Sequence, residues 1–175
     1  MEVNLFFDMD GVLAVYHPNT VELMYDTGFF LNRPLDETAG KLMSKLINNE
    51  NYNVYILSKA ITTQCAREKR QWLWKYFPLL DPSNILIISC EDSKLELIEE
   101  MINLDDSINF LIDDLSDNLY EWENGTNCYS IKYFNEINSR NWLKTGKPYI
   151  SSTDTVDFCV DYINELTKKT LEEKC

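Results

Sequence analysis

The sequence has little histidine, glycine and proline: one, five and five residues of 175. One histidine and no C-x-x-C pair leave few ligands for a zinc site, which is built mostly from histidine and cysteine. The longest apolar runs, such as residues 86–88, fall far short of the ~18 residues that a membrane helix needs. The first residues lack a basic segment and a small-residue cleavage site, so we expect no secretory signal and no membrane partner.

Basic residues are also few: 16 against 29 acidic ones, a formal net charge of −13. A surface this acidic repels phosphate backbones, so we expect no binding to nucleic acid polymers. A small anionic substrate would need a metal ion or a lysine to offset the charge locally. The cysteines are odd in number and predict reduced thiols that pack as small apolar side chains in a cytoplasmic protein. They are Cys65, Cys90, Cys128, Cys159 and Cys175.

Length and composition predict one globular domain over residues 1–175. Short continuous apolar runs are typical of parallel strands that are buried on both faces of a sheet. They lie at 3–7, 54–57, 85–88, 110–112 and 128–133. Amphipathic helical patterns alternate with them, which predicts an α/β fold with three layers around a mainly parallel five-stranded sheet. The segment at about 15–50 is longer than a normal connection and predicts a small cap or flap over the strand ends.

Carboxylates follow two of the predicted strands. Asp8 and Asp10 come after the first strand, Asp113 and Asp114 after the fourth, and Ser58 ends the second. Ligands of such folds lie at the carboxyl ends of the strands, so we expect these side chains at one edge. A cluster of carboxylate oxygens suits Mg²⁺. Each Asp alone could instead be a turn or helix-cap residue.

Three segments resemble motifs of the haloacid dehalogenase (HAD) superfamily. They are FDMDGV at 7–12, YILS at 55–58 and LIDD at 111–114. Within that superfamily the chain resembles the 5′(3′)-deoxyribonucleotidases (5′-nucleotidase type C). This second resemblance rests on softer segments: GFF at 28–30, RPL at 33–35, EKRQW at 68–72, DDLSDNL at 113–119 and IKYFN at 131–135. The resemblance implies a Rossmann-like HAD core with a small helical cap insertion.

The resemblance also implies a role for each matching residue. Asp8 would attack phosphorus and form an aspartyl-phosphate, and Asp10 would be the general acid and then the general base. Asp8, the main-chain carbonyl of Asp10 and Asp113 would hold Mg²⁺. Asp114 would support this site from behind, and Ser58 would donate a hydrogen bond to phosphate.

The phosphate-binding lysine is left open between two candidates. Lys69 fits the nucleotidase resemblance, whereas Lys94 fits the general superfamily position before the fourth motif, and both could contact phosphate. Phe29 and Phe30 could stack on a base or a sugar, or they could pack inside the cap. His17 is expected in a loop.

These observations predict a Mg²⁺-dependent phosphomonoesterase, with a nucleoside monophosphate as its substrate. A phosphatase for sugar or protein phosphate, or a phosphate-binding regulatory protein without turnover, are the alternatives. Two departures from the nucleotidases weaken the case for nucleotide specificity, and the shorter cap favours another phosphoester. Asp10 and Ser58 are 48 positions apart, which is short for a full cap, and Lys59 stands where that family often has a hydroxyl or proline.

Overall fold

A computed structural model of the chain describes residues 1–135 and 137–174. In these residues six strands form one sheet, in the order β3-β2-β1-β4-β5-β6, and all neighbouring strands are parallel. The strands are β1 (Glu2–Phe7), β2 (Asn53–Ala60), β3 (Ile85–Ser89), β4 (Ser107–Asp113), β5 (Cys128–Phe134) and β6 (Tyr149–Ser151). The predicted parallel α/β sheet is confirmed, but the count of five strands was wrong. β6 has three residues, which is too short to leave an apolar pattern.

Five α-helices cover the two faces of the sheet. They are α1 (Glu37–Ile47), α2 (Thr63–Tyr76), α3 (Lys94–Met101), α4 (Ser116–Trp122) and α5 (Val156–Lys174). Apolar side chains of α1, α2 and α5 form one core with one face of the sheet, and those of α3 and α4 form a second core with the other face. In β1, Leu5 and Phe7 point into the first core and Phe6 into the second, because successive strand residues face opposite sides. The three predicted layers are therefore confirmed.

The connection between β1 and β2 consists of two parts. Residues 15–36, here called the cap segment, hold two short 3₁₀ helices, Pro18–Tyr25 and Phe30–Asn32. The following helix α1 buries Leu42, Met43 and Leu46 in the main core. The insertion predicted at about 15–50 is thus shorter than expected, since α1 is part of the core.

The cysteines differ in their exposure, although all were expected to pack as small apolar side chains. Cys65, Cys128 and Cys159 are buried free thiols, and Cys90 is an exposed one. Cys175 lies outside the described residues. Among the helices described here, none is long and apolar enough to cross a membrane.

Candidate active site

Three carboxylates meet at the carboxyl edge of the sheet. Asp8 directly follows β1, and its N–H donates to the carbonyl of Ile112 in β4 at 2.9 Å. Asp113 is the last residue of β4, and Asp114 follows it. Each of Asp8, Asp113 and Asp114 offers an oxygen within 4.8 Å of the other two. The structure therefore brings Asp8 of the first strand end and both aspartates of the second into one cluster.

Lys94 lies inside this cluster. Its Nζ donates to Oδ1 of Asp8 and to Oδ2 of Asp113, both at 2.7 Å, and the side chain is 2% exposed. Burial lowers the pKa of Lys94, but the attraction of Asp113 and Asp8 outweighs it, so the pKa lies above the ordinary value. The ammonium is therefore charged, and it fixes the position of Asp8.

Lys69 occupies a second place at the same edge. Its Nζ donates to Oδ2 of Asp10 at 2.5 Å, to Oγ of Ser58 at 3.1 Å and to the carbonyl of Lys59 at 2.5 Å. Strand β2 continues past Ser58 to Ala60, two residues beyond the predicted end, because it pairs there with β3. The two candidate lysines thus both reach the site, each with its own carboxylates.

The cluster holds more negative than positive charge. Burial raises the pKa of Asp8 to about 6, helped by Asp113 and opposed by Lys94. Burial together with Asp113 and Asp8 raises the pKa of Asp114 to about 8. Three clustered carboxyl groups beside one ammonium offer oxygen ligands to a hard divalent cation, whose charge would favour their ionised forms. Asp8, Asp113 and Asp114 could hold Mg²⁺, whereas the carboxylate of Asp10 is turned to Lys69.

Hydrogen bonds from the first turn of α4 and the residue before it fix the orientation of Asp113. Its Oδ1 accepts from the N–H of Leu115 at 2.7 Å, and its Oδ2 accepts from Nδ2 of Asn118 at 2.9 Å. Ligand carboxylates are commonly held in this way by neighbouring donors. Asn118 was not predicted as a site residue, although its position five residues after Asp113, in the first turn of the next helix, is a usable signal.

The loops after β1 and β4 touch at a glycine. Gly11 has a φ of +78°, which disfavours residues with a side chain. A Cβ atom there would lie 2.3 Å from Oδ2 of Asp114. Gly11 therefore allows both the turn of the loop after β1 and its close approach to Asp114.

Side chains near the end of β5 contact the same two residues, Gly11 and Asp114. Lys132 donates to the carbonyl of Asp114 and, at 2.9 Å, to Oγ of Ser116. Asn135 donates to the carbonyl of Gly11 at 2.8 Å and to Oδ2 of Asp114 at 3.2 Å. Neither residue was predicted to have a role, although both lie at the edge of the sheet where the carboxylates were expected.

The cap segment is tied to α2 by a carboxylate. Glu68 accepts from the N–H of Gly28 at 2.7 Å and from that of Phe30 at 3.2 Å. The Phe30 ring is 1% exposed and has Nζ of Lys69 at 5.0 Å from its centre. Phe29 packs beneath the guanidinium of Arg33, 4.8 Å away. Of the two alternatives for these phenylalanines, stacking on substrate or packing inside the cap, the structure shows packing within the cap and against its neighbours.

The carboxylates open into a cavity of about 420 Å³, inside the range of roughly 300–1,000 Å³ for small-ligand sites. From the cap segment, Tyr16 and Met24 line it. Tyr16 also lines a neighbouring cavity of about 360 Å³, where His17 lies. Tyr16 was not predicted from the sequence, although its position shortly after the Asp-rich turn that follows β1 is a usable signal. The remaining cavity residues include Asp8, Asp10, Ser58, Asp113, Asp114 and Asn118.

No protein-family model matches the chain. Curated proteins from two strains of Staphylococcus epidermidis, provisionally named 5′(3′)-deoxyribonucleotidases, are 29% identical to it over 84 residues. The match covers 47% of this chain and 45% of each relative, so the chain matches less than half the length of those relatives.

Solved structures resemble the whole fold. A haloacid dehalogenase-like hydrolase of Streptococcus pneumoniae has a TM-score of 0.66 at 13% identity, over 93% of this chain and 98% of that one. A haloacid dehalogenase-like hydrolase from Burkholderia xenovorans gives 0.60 at 11% identity, with the same coverages. A phosphoserine phosphohydrolase-like protein of Francisella tularensis gives 0.57 at 16%, over 86% and 95%. The fold is therefore that of haloacid dehalogenase-like hydrolases, as the sequence motifs predicted.

Proposed function

We propose that the chain is a Mg²⁺-dependent phosphomonoesterase of the HAD superfamily that works through an aspartyl-phosphate on Asp8. The observation that carries the proposal is the buried arrangement of Asp8, Lys94 and Asp113 at the end of β1 and β4, with Nζ of Lys94 2.7 Å from both carboxylates. Asp10 lies two residues after Asp8, beside Lys69. A nucleophile and a separate acid at one strand end are what two-step phosphate hydrolysis requires.

In the first step an oxygen of Asp8 attacks phosphorus. Lys94 holds Oδ1, so Oδ2 is the oxygen that forms the new bond. The bond between phosphorus and the ester oxygen breaks, and that oxygen takes a proton from Asp10 and leaves as an alcohol. Lys69 and Ser58 are placed to donate to the phosphoryl oxygens, where charge is present throughout the transfer.

In the second step water hydrolyses the aspartyl-phosphate. Asp10, now ionised, takes a proton from the water while the water oxygen bonds to phosphorus. The bond between phosphorus and Oδ2 of Asp8 breaks, which releases inorganic phosphate and restores the carboxylate. Asp10 thus ends the cycle protonated, ready for the next leaving group.

Mg²⁺ held by Asp8 and Asp113, with Asp114 beside them, would supply positive charge between the anionic nucleophile and the anionic phosphate. The protein supplies the fixed oxygens: Leu115 and Asn118 hold both oxygens of Asp113. Lys94 keeps Asp8 and Asp113 together when both are charged.

The substrate class we propose is a nucleoside monophosphate. The similarity to proteins named as deoxyribonucleotidases supports it. Tyr16 at the cavity wall offers an aromatic ring to a base or sugar. The free thiols of Cys65 and Cys90 are consistent with a reducing compartment, so we place the reaction in the cytoplasm.

One observation favours a different small phosphoester, such as a sugar phosphate. The cap segment is 22 residues long, from 15 to 36, and its buried Phe30 ring packs away from the cavity. A short cap with one cavity-lining aromatic ring, Tyr16, among the described residues encloses less of a nucleoside than a full helical cap would.

The test is phosphate release from ribo- and deoxyribonucleoside monophosphates and from sugar phosphates, with and without Mg²⁺, for the wild type and Asp8→Asn. Release from nucleotides that needs Mg²⁺ and is lost in the variant is the expected result. Release from sugar phosphates alone keeps the mechanism and replaces the substrate. Stable phosphorylation of Asp8 without release, or no reaction at all, overturns the proposal in favour of a regulatory or binding protein.

A further inference from the structure

We propose that Asn135 is a positioning residue that joins the loop after β1 to the loop after β4 and so sets the spacing of the Mg²⁺ ligands. The proposal rests on the Mg²⁺ site of the proposed function. It adds a residue that touches neither the phosphate nor the metal, and whose importance lies in the two loops it connects.

The contacts of the Asn135 amide show this connection. Its Nδ2 donates to the carbonyl of Gly11 at 2.8 Å and to Oδ2 of Asp114 at 3.2 Å. Gly11 belongs to the loop that carries Asp8 and Asp10, and Asp114 to the loop that carries Asp113. Asn135 itself follows β5, a third strand of the sheet. One amide therefore joins the ends of three strands.

The direction of the amide is fixed from its other side. Oδ1 of Asn135 accepts from the N–H of Ile137 at 3.2 Å and from the N–H of Asn138 at 3.0 Å. If the amide were reversed, its NH₂ group would face the two N–H donors, and its carbonyl oxygen would face the two acceptor oxygens. Because only one orientation satisfies all four partners, the NH₂ group must point at Gly11 and Asp114.

Gly11 makes this single bridge possible. A side chain at position 11 would start 2.3 Å from the Asp114 carboxylate, so the two loops could not approach as they do. With no side chain there, the carbonyl of Gly11 and the carboxylate of Asp114 come within reach of the same NH₂ group. Partners behind a metal ligand typically change metal affinity about 10–100-fold when they are removed.

The experiment compares Asn135→Asp and Asn135→Ala with the wild type. Asn135→Asp keeps an oxygen for the N–H groups of residues 137 and 138 but replaces the donor with a second acceptor facing Asp114. Asn135→Ala removes the donor without adding charge. The matched control is Asn141→Asp, which adds the same charge to an exposed position whose side chain accepts from Lys144.

The readout is the Mg²⁺ concentration that gives half of the maximal rise in thermal midpoint, which needs no substrate. We expect this concentration to rise about 10–100-fold in both Asn135 variants and to stay within about twofold in Asn141→Asp. The same shift should appear in the Mg²⁺ dependence of phosphate release, with KM for the phosphoester at saturating Mg²⁺ near that of the wild type.

Several results would overturn the inference. If the Asn135 variants fold and need the same Mg²⁺ concentration as the wild type for the half-maximal rise, the bridge does not set the ligand spacing. Asn135 would be a purely structural residue if its variants had a lower thermal midpoint without Mg²⁺ but needed the same Mg²⁺ concentration as the wild type for the half-maximal rise. A wild type that neither responds to Mg²⁺ nor releases phosphate would remove the proposed function together with this inference, which distinguishes that failure from the other two.

Discussion

The ammonium of Lys94 lies 2.7 Å from Oδ1 of Asp8, and both side chains are buried. Lys94→Met leaves Asp8 and Asp113 buried without their counter-charge. We expect the free energy of unfolding without Mg²⁺ to fall by about 3–5 kcal/mol, measured by urea denaturation. Lys168→Met is the control, since Lys168 forms an exposed pair with Glu172 and should change stability by about 0.5 kcal/mol or less. A loss below about 1 kcal/mol in Lys94→Met would contradict the buried ion pair.

Lys69→Ala tests whether this buried lysine contributes to phosphate binding, beyond the general effect of removing one positive charge. Lys69 contacts both Asp10 and Ser58, so its loss removes a donor to the phosphoryl group and frees the general acid. We expect kcat/KM to fall about 10²–10³-fold in steady-state phosphate release. Lys75→Ala on the same helix removes an exposed lysine and should leave kcat/KM unchanged. Equal activity of the two variants would exclude Lys69 from the site.

Two glycines with similar φ angles allow a test of the contact between the loop after β1 and the loop after β4. Gly11 and Gly146 have φ values of +78° and +69°, but a Cβ at Gly146 meets no atom within 4 Å. Gly146→Ala should cost about 1–2 kcal/mol of backbone strain in chemical denaturation and keep the response to Mg²⁺. Gly11→Ala carries the same strain and also displaces Asp114, so it should lose that response. A normal Mg²⁺ response in Gly11→Ala would show that the loops can separate without consequence.

Glu68 predicts a pH dependence of stability. Burial raises the pKa of Glu68, but hydrogen bonds from the N–H groups of Gly28 and Phe30 and from the amide of Gln64 lower it by more. The resulting pKa lies below the ordinary 4.5. A depressed folded-state pKa stabilises the protein above the unfolded pKa, and this stabilisation is lost as the pH falls through the folded pKa. The free energy of unfolding of the wild type should therefore exceed that of Glu68→Gln by about 1–2 kcal/mol at pH 7. This difference should shrink below about pH 4.5.

Urea unfolding at a series of pH values from 3 to 7 measures this difference. Glu37→Gln is the control, because Glu37 is exposed and pairs with Lys41 one turn along α1. Its difference from wild type should be about 0.5 kcal/mol or less at neutral pH. A Glu68→Gln difference that stays constant or grows on acidification would contradict a charged Glu68 holding the cap segment.

The sequence predicts the fold well wherever a local pattern is strong. Strands β1 to β5 are visible as apolar runs because the sheet is covered on both faces. The start of α2 is marked by Thr62, whose hydroxyl accepts from the N–H of Cys65, and its end by Pro78. The strand-end aspartates were visible for the same reason, since each directly follows an apolar run.

The remaining features depend on contacts between distant residues. Asn135 and Gly11 are 124 positions apart, and Glu68 and Gly28 are 40 apart, so no local pattern connects them. Gly125 shows the same limit in a different way. A glycine just after a helix often ends it in a left-handed turn. Gly125 follows α4, but its φ is not positive, and a Cβ there would lie 2.5 Å from Leu95. It is glycine because a neighbouring helix is close. The roles given to Asp8, Asp10, Ser58, Lys69, Lys94, Asp113 and Asp114 stay predictions that kinetics will test.

Two adjacent residues of α2 face different parts of the site: Glu68 holds the cap segment, and Lys69 holds Asp10 and Ser58. Moving the cap segment away from α2 would therefore break hydrogen bonds at the residue next to Lys69. In the proposed function, this connection would limit how far the entrance can widen around a ligand. Phosphoesters would then be selected by whether their alcohol portion fits past Tyr16, before any bond to phosphorus is made.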